Sequence, residues 1–152
     1  MYKLICYLTA IYQYSKTIHY EVKGEAFYGK HLFNDRIAEN MNDYVDLIKE
    51  VVYLGHAKDA PAAGAILEGV LPLLPATEEN DQQNYINLYN LILNALDEIE
   101  QLNQKKLSVG DKNLIGGIAQ DLQQNLGLLW RQITPYAYET MQERVFMPEA
   151  EI

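Results

Sequence analysis

Apolar residues recur along nearly the whole chain at helical spacing, and only a few glycines and prolines break the rhythm. That periodicity limits the fold more than any other feature does. Leu4, Leu8, Ile11, Ile18 and Val22 fall on one face of a helix over 2–22, with Ser15 in the same stripe, and Gly24 ends it. Phe33, Ile37, Met41, Tyr44, Ile48 and Val51 mark a second helix over 28–54. Gly55 stands where a C-terminal cap glycine is expected. A third helix over 78–105 carries Tyr85, Leu88, Ile92, Leu96 and Ile99. It opens on Glu78, Glu79 and Asp81 and closes on Lys105 and Lys106, the order that the helix dipole favours. Ser108 with Asp111 resembles a capping box and opens a fourth helix over 109–133, stopped by Pro135. Gly116, Gly117 and Gly127 weaken helix propensity there and would let another helix or subunit come close.

Residues 56–77, HAKDAPAAGAILEGVLPLLPAT, read differently. Asp59, Ala60 and Pro61 start a short helix over 60–70, and Pro72 and Pro75 force extended chain after it. The connections are therefore short, long, short. That order predicts one all-α domain over 1–152, a four-helix bundle with a short extra helix in the crossover between helices 2 and 3. The crossover lets those two helices run parallel. Residues 135–152 form a C-terminal tail.

The chain has 152 residues, enough for a sizeable core, and a net charge of −9. An acidic surface repels phosphate backbones and suits cations. The single cysteine, Cys6, forms no intrachain disulfide, fits a reducing compartment and reads as a small buried side chain. No leader pattern or membrane-length apolar run appears, so a cytoplasmic location is expected. The 12 tyrosines read first as packing residues.

Four residues of metal-ligand type stand apart from this pattern. The first two helices form a hairpin whose turn centres near Glu25. His19 precedes that point by as much as His31 follows it, so the two face each other at one height. Asp46 and Glu50, one turn apart, share a helix face. Along one continuous helix they lie roughly 22 Å from His31, too far for one ion to touch both ends. Either the two pairs do unrelated jobs, or two chains meet head to tail and share two equivalent sites. Two imidazoles with two carboxylates suit ferrous iron, manganese or zinc. Asp35, one turn after His31, would complete such a site or orient an imidazole. His56 reads as a surface loop residue.

The segments HYEVKGEAFYGKH, FNDRIAE and DLIKEVVYLG resemble the Dps-type mini-ferritins, the DNA-binding proteins from starved cells, over roughly residues 17–56. His19, His31, Asp35, Asp46 and Glu50 fit that family's ligand spacing. The resemblance implies a ferritin-like bundle assembled as a homo-oligomeric dodecamer with iron sites at its two-fold interfaces. It implies a ferroxidase that oxidises Fe(II) with hydrogen peroxide and stores ferric mineral inside. Asp111 and Asp121 are candidates for iron channels because that region lines pores in relatives. Two departures matter. Tyr20 follows the first histidine where the family usually has tryptophan, and Gly127 and Leu128 stand where a second is expected, with Trp130 slightly later. The lysine-rich tail that carries DNA binding in many members is missing, only Lys3 remaining at the start. DNA binding is therefore expected to be weak. A DNA-binding, nucleoid-protecting role with secondary iron chemistry is the alternative.

Overall fold

The computed structural model describes residues 1–133. The expected tail over 135–152 lies outside the described residues. Helix α1 spans Tyr2–Glu21, α2 Phe27–Ala38, α3 Met41–Ile48, α4 Ala63–Val70, α5 Asp81–Asn103 and α6 Val109–Gln132. A π-helical turn, Lys49–Tyr53, and a 3-10 turn, Leu54–His56, prolong α3. The architecture is all-α: α1, the α2–α3 rod, α5 and α6 form a four-helix bundle, and α4 is a short helix in the crossover.

Long-range contacts fix the directions. The Lys30–Asp81 ion pair (2.8 Å) joins the start of α2 to the start of α5, so the two run parallel. The Tyr14 hydroxyl donates to Asn84 Oδ1 (3.0 Å), bringing the far part of α1 to the start of α5. Gln82 reaches the carbonyl of Gln132 (3.0 Å), so α5 and α6 are antiparallel. The core has the predicted stripes. Leu4, Leu8, Ile11, Ile18, Ile37, Met41, Ile48, Tyr85, Leu88, Ile92 and Ile99 are all buried in it, with Ile115, Ile118, Leu122 and Leu129 from α6.

The second helix is not continuous. Glu39 is extended (φ −56°, ψ 138°) and Asn40 is left-handed (φ 70°), so α2 stops and α3 restarts. Asparagine tolerates this conformation better than most residues. The Asn40 amide also reaches Asp121 of α6 (3.4 Å), which helps to hold the break. The left-handed residue that ends the rod is Ala57 (φ 55°), and the neighbouring Gly55 lies inside the last turn. Helix α5 begins three residues later than its acidic run suggests. The Asn84 carboxamide ties the Glu78 backbone outside the helix, accepting from its N–H (2.8 Å) and donating to its carbonyl (2.9 Å). Asn80 then caps the helix through the N–H of Gln82, a bond of the kind worth about 1 kcal/mol.

The crossover lies against the first half of α1. The Tyr2 hydroxyl donates to the carbonyl of Ala65 (2.5 Å), and Cys6 is buried beneath α4. Close approach is possible because Gly69 has no side chain. A Cβ there would meet the Tyr2 hydroxyl and come within 2.6 Å of Cys6 Sγ. Gly64, on the same helix, faces open space. Gly69→Ala is therefore expected to destabilise the fold by about 1–3 kcal/mol, while Gly64→Ala leaves it equal or slightly more stable. Urea unfolding of the two variants beside the parent chain measures the contrast.

Candidate metal centre

The α1–α2 hairpin turns on Gly24 (φ 81°) and left-handed Ala26 (φ 58°). This tight reversal sets His19 against His31. The Nδ1 of His19 lies 2.6 Å from the carbonyl oxygen of His31, and the Nδ1 of His31 lies 2.8 Å from the carbonyl oxygen of His19. A carbonyl only accepts, so in both rings Nδ1 carries the proton and donates it. The lone pair of each neutral imidazole is then on Nε2. The rings stack, with centroids 3.5 Å apart and planes 24° from parallel. Phe27 stacks on the outer side of His31 (5.2 Å), and Tyr20 meets His19 edge-on (4.8 Å). His19 is 7% exposed, while Tyr20 is 73% exposed. The pair is thus held by backbone bonds and aromatic packing. Such outer bonds are the ones that orient metal-binding histidines.

Asp35 already has a partner in the chain. Its carboxylate accepts from Lys16 Nζ at 2.6 Å. That ammonium holds the Asp35 carboxyl below the usual carboxylate range, and the lysine is raised in turn. The Lys16–Asp35 pair and the histidine bonds put this carboxylate on the histidine side of the hairpin, one turn beyond His31. Lys16 was not singled out from the sequence. The same mirror that faces His19 with His31 also faces Lys16 with Asp35.

Asp46 lies on α3 and Glu50 in the π-helical turn, both exposed. Turns of this kind gather at functional sites because they re-aim side chains. Among the described residues of one protomer, no three histidine, cysteine, aspartate or glutamate side chains come close enough to hold a metal ion. The hairpin therefore brings His19, His31 and Asp35 to one end and leaves Asp46 and Glu50 toward the other.

The two candidate channel aspartates are engaged within the chain. Asp111 is buried, and its carboxylate accepts from His56 Nε2 at 3.0 Å. Its backbone N–H donates to Ser108 Oγ (3.1 Å), so only half of the expected capping box forms, the carboxylate having turned to His56. His56 is at the surface, as expected, but it stands in the 3-10 turn that ends the rod and joins it to the start of α6. Asp121 accepts from the Tyr44 hydroxyl at 2.8 Å. Burial, reinforced by that carboxylate, pushes Tyr44 up to about 12.

The fold as a whole is similar to that of a solved structure. A mutant of Dps1 from Mycobacterium smegmatis is similar to this chain with a TM-score of 0.71 and 15% sequence identity, over 88% of this chain and 91% of that one. The chain has a Dps-like, ferritin-like fold. The sequence matches no protein-family model and no curated protein. Within this Dps-like bundle, Trp130 of α6 packs against the core, its ring 5.9 Å from that of Tyr89. Among the described residues no helix is long and apolar enough to cross a membrane.

Tyr44 and Tyr85 are both held near 12, in each case first by burial. The folded values lie above the ordinary 10, so what these phenols add to stability is fully present below pH 10. It is lost as pH rises through about 12. A phenolate absorbance titration should show two tyrosines ionising last. Tyr44→Phe should remove one of them and destabilise the fold by about 1.5–3 kcal/mol, since Asp121 loses its best donor. Two late tyrosines persisting in that variant would contradict the assignment.

Proposed function

We propose that this chain is an iron-oxidising, iron-storing mini-ferritin whose ferroxidase sites form between two copies. His19, His31 and Asp35 of one copy meet Asp46 and Glu50 of the other. One observation carries the reading: in a Dps-like bundle, reciprocal backbone bonds fix both imidazoles in the tautomer that leaves Nε2 free to bind a cation. One further feature supports a partner. Tyr20, Phe27, Tyr28 and Leu32 are exposed around the histidines, Leu47 and Leu54 near the carboxylates, Leu67 on α4 and Leu71 just after it. Exposed apolar side chains grouped in this way mark an interaction surface. A two-fold pair then gains two equivalent sites.

Iron is the substrate. The carboxylates of Asp46 and Glu50 bind Fe(III) more strongly than Fe(II), which favours oxidation at the site. Two Fe(II) each give up one electron. Hydrogen peroxide takes both, with two protons, and leaves as two waters without releasing a hydroxyl radical. The net charge of −9 draws cations toward the assembly, and the mineral accumulates inside a twelve-subunit shell. The same charge disfavours DNA as a partner. Asp35 contributes through its charge beside the imidazoles while paired with Lys16, an exposed ion pair worth less than about 1 kcal/mol to the fold.

The test loads the metal-free protein anaerobically with about two Fe(II) per subunit, adds peroxide and follows ferric absorbance. Oxidation should outpace buffer and fall by about tenfold or more in His31→Ala and in Asp46→Ala alike. Rates equal to buffer, or unchanged in both variants, would overturn the reading.

A further inference from the structure

The bundle core contains polar side chains that the iron chemistry does not use. Ser15 Oγ, both polar atoms of the Asn34 carboxamide and the Tyr85 hydroxyl are buried with no partner at full hydrogen-bonding geometry, although the Asn34 carboxamide lies near enough to the Tyr85 phenol to offset part of its upward shift. The three residues are at most 1% exposed. They come from three different helices and share one level. The histidine bonds and the Lys16–Asp35 pair set α1 against α2, which puts Ser15 opposite Asn34 and Asp35. The Lys30–Asp81 pair sets α2 beside α5, which puts Asn34 level with Tyr85. Phe33 confirms that level, its ring meeting Tyr85 edge-on at 5.6 Å. Asn125 of α6 adds a carboxamide with two unpartnered atoms, one turn from Asp121.

Leaving a buried donor or acceptor unpaired costs about 1–3 kcal/mol each. Several such losses gathered on one level would remove much of a domain's stability. An apolar layer would have avoided them. Buried groups of this kind are ordinarily satisfied by internal water, each molecule making about three hydrogen bonds.

We propose that Ser15, Asn34 and Tyr85 form an internal hydration site in the centre of the bundle, one helical turn from the histidine pair, with Asn125 extending it toward α6. Its ligand is water. The site solvates one polar group from each of α1, α2 and α5 at a single height. A helix shifted along its neighbour would carry its polar group into the apolar layers above or below. The water site thereby holds the axial register that faces His19 with His31.

A crystal structure of the full-length protein at a resolution that shows ordered solvent provides the first test. The expected result is water within about 2.7–3.2 Å of at least two of Ser15 Oγ, the Asn34 carboxamide and the Tyr85 hydroxyl. Direct bonding among these side chains with no water between them would overturn the proposal. Magnetic relaxation dispersion of water oxygen provides a second test in solution. Asn34→Leu should bind fewer long-lived internal waters than the parent chain, and equal numbers would contradict the site. Should Asn34→Leu fail to fold, Ser15→Ala and Tyr85→Phe each delete one polar atom with little change in shape. Either should then lose or displace a water of this cluster, and an unaltered cluster in both would overturn the proposal.

Discussion

Two hydrogen bonds from imidazole to carbonyl hold the α1–α2 hairpin together. His19 and His31 each donate to the other's backbone oxygen, so each ring locks the helix that bears the other. The bonds fix the tautomers, stack the rings and set α1 against α2. The surrounding contacts follow from that register: Lys16 against Asp35, Phe27 over His31, Tyr20 against His19. A histidine pair built in this way is organised in advance, which would reduce what binding of a ligand must spend on ordering side chains.

The long rod opposite α1 serves a different need. A straight helix from residue 28 to 54 would carry one face past the whole bundle. The break at Glu39–Asn40 and the π-helical turn at Lys49–Tyr53 instead re-aim its second half. Each irregularity is tied to α6: Asn40 and Tyr44 to Asp121 near the break, His56 to Asp111 beyond the turn. The carboxylates of α6, buried Asp111 and half-buried Asp121, thus act as anchors for the rod that bears Asp46 and Glu50.

Much of this was legible in the sequence. The stripes of α1 and α5, the parallel second and third rods and the presence of a crossover helix follow from apolar spacing and connection lengths, but that helix starts later than its prolines suggest, at Ala63, and Pro72, expected to force extended chain, lies in a 3-10 turn, Leu71–Leu73. The facing histidines follow from simple reflection about the turn near Glu25. The break at Asn40 was hidden because Ile37, Met41 and Ile48 keep a helical rhythm straight through it. Only a partner on α6 distinguishes a tolerated left-handed asparagine from an ordinary helical one. The turning of Asp111 away from its own helix end was hidden for the same reason, since His56 is distant in sequence. Ser15, Asn34 and Tyr85 drew no notice as a group, because nothing local shows that three helices bring them to one height.

The central claim is that one chain supplies the imidazoles and another the carboxylates. Subunit complementation addresses it directly. One variant carries His19→Ala with His31→Ala, the other Asp46→Ala with Glu50→Ala, and each assembles alone without peroxide-driven iron oxidation. In a mixed two-fold pair one site loses all four ligands and the other keeps all four. Shells reassembled from equal amounts of both variants should therefore recover about one quarter of the parent rate per subunit, since about half of the pairs are mixed. Mixed shells, verified by mass, that stay as inactive as either variant alone would contradict the account.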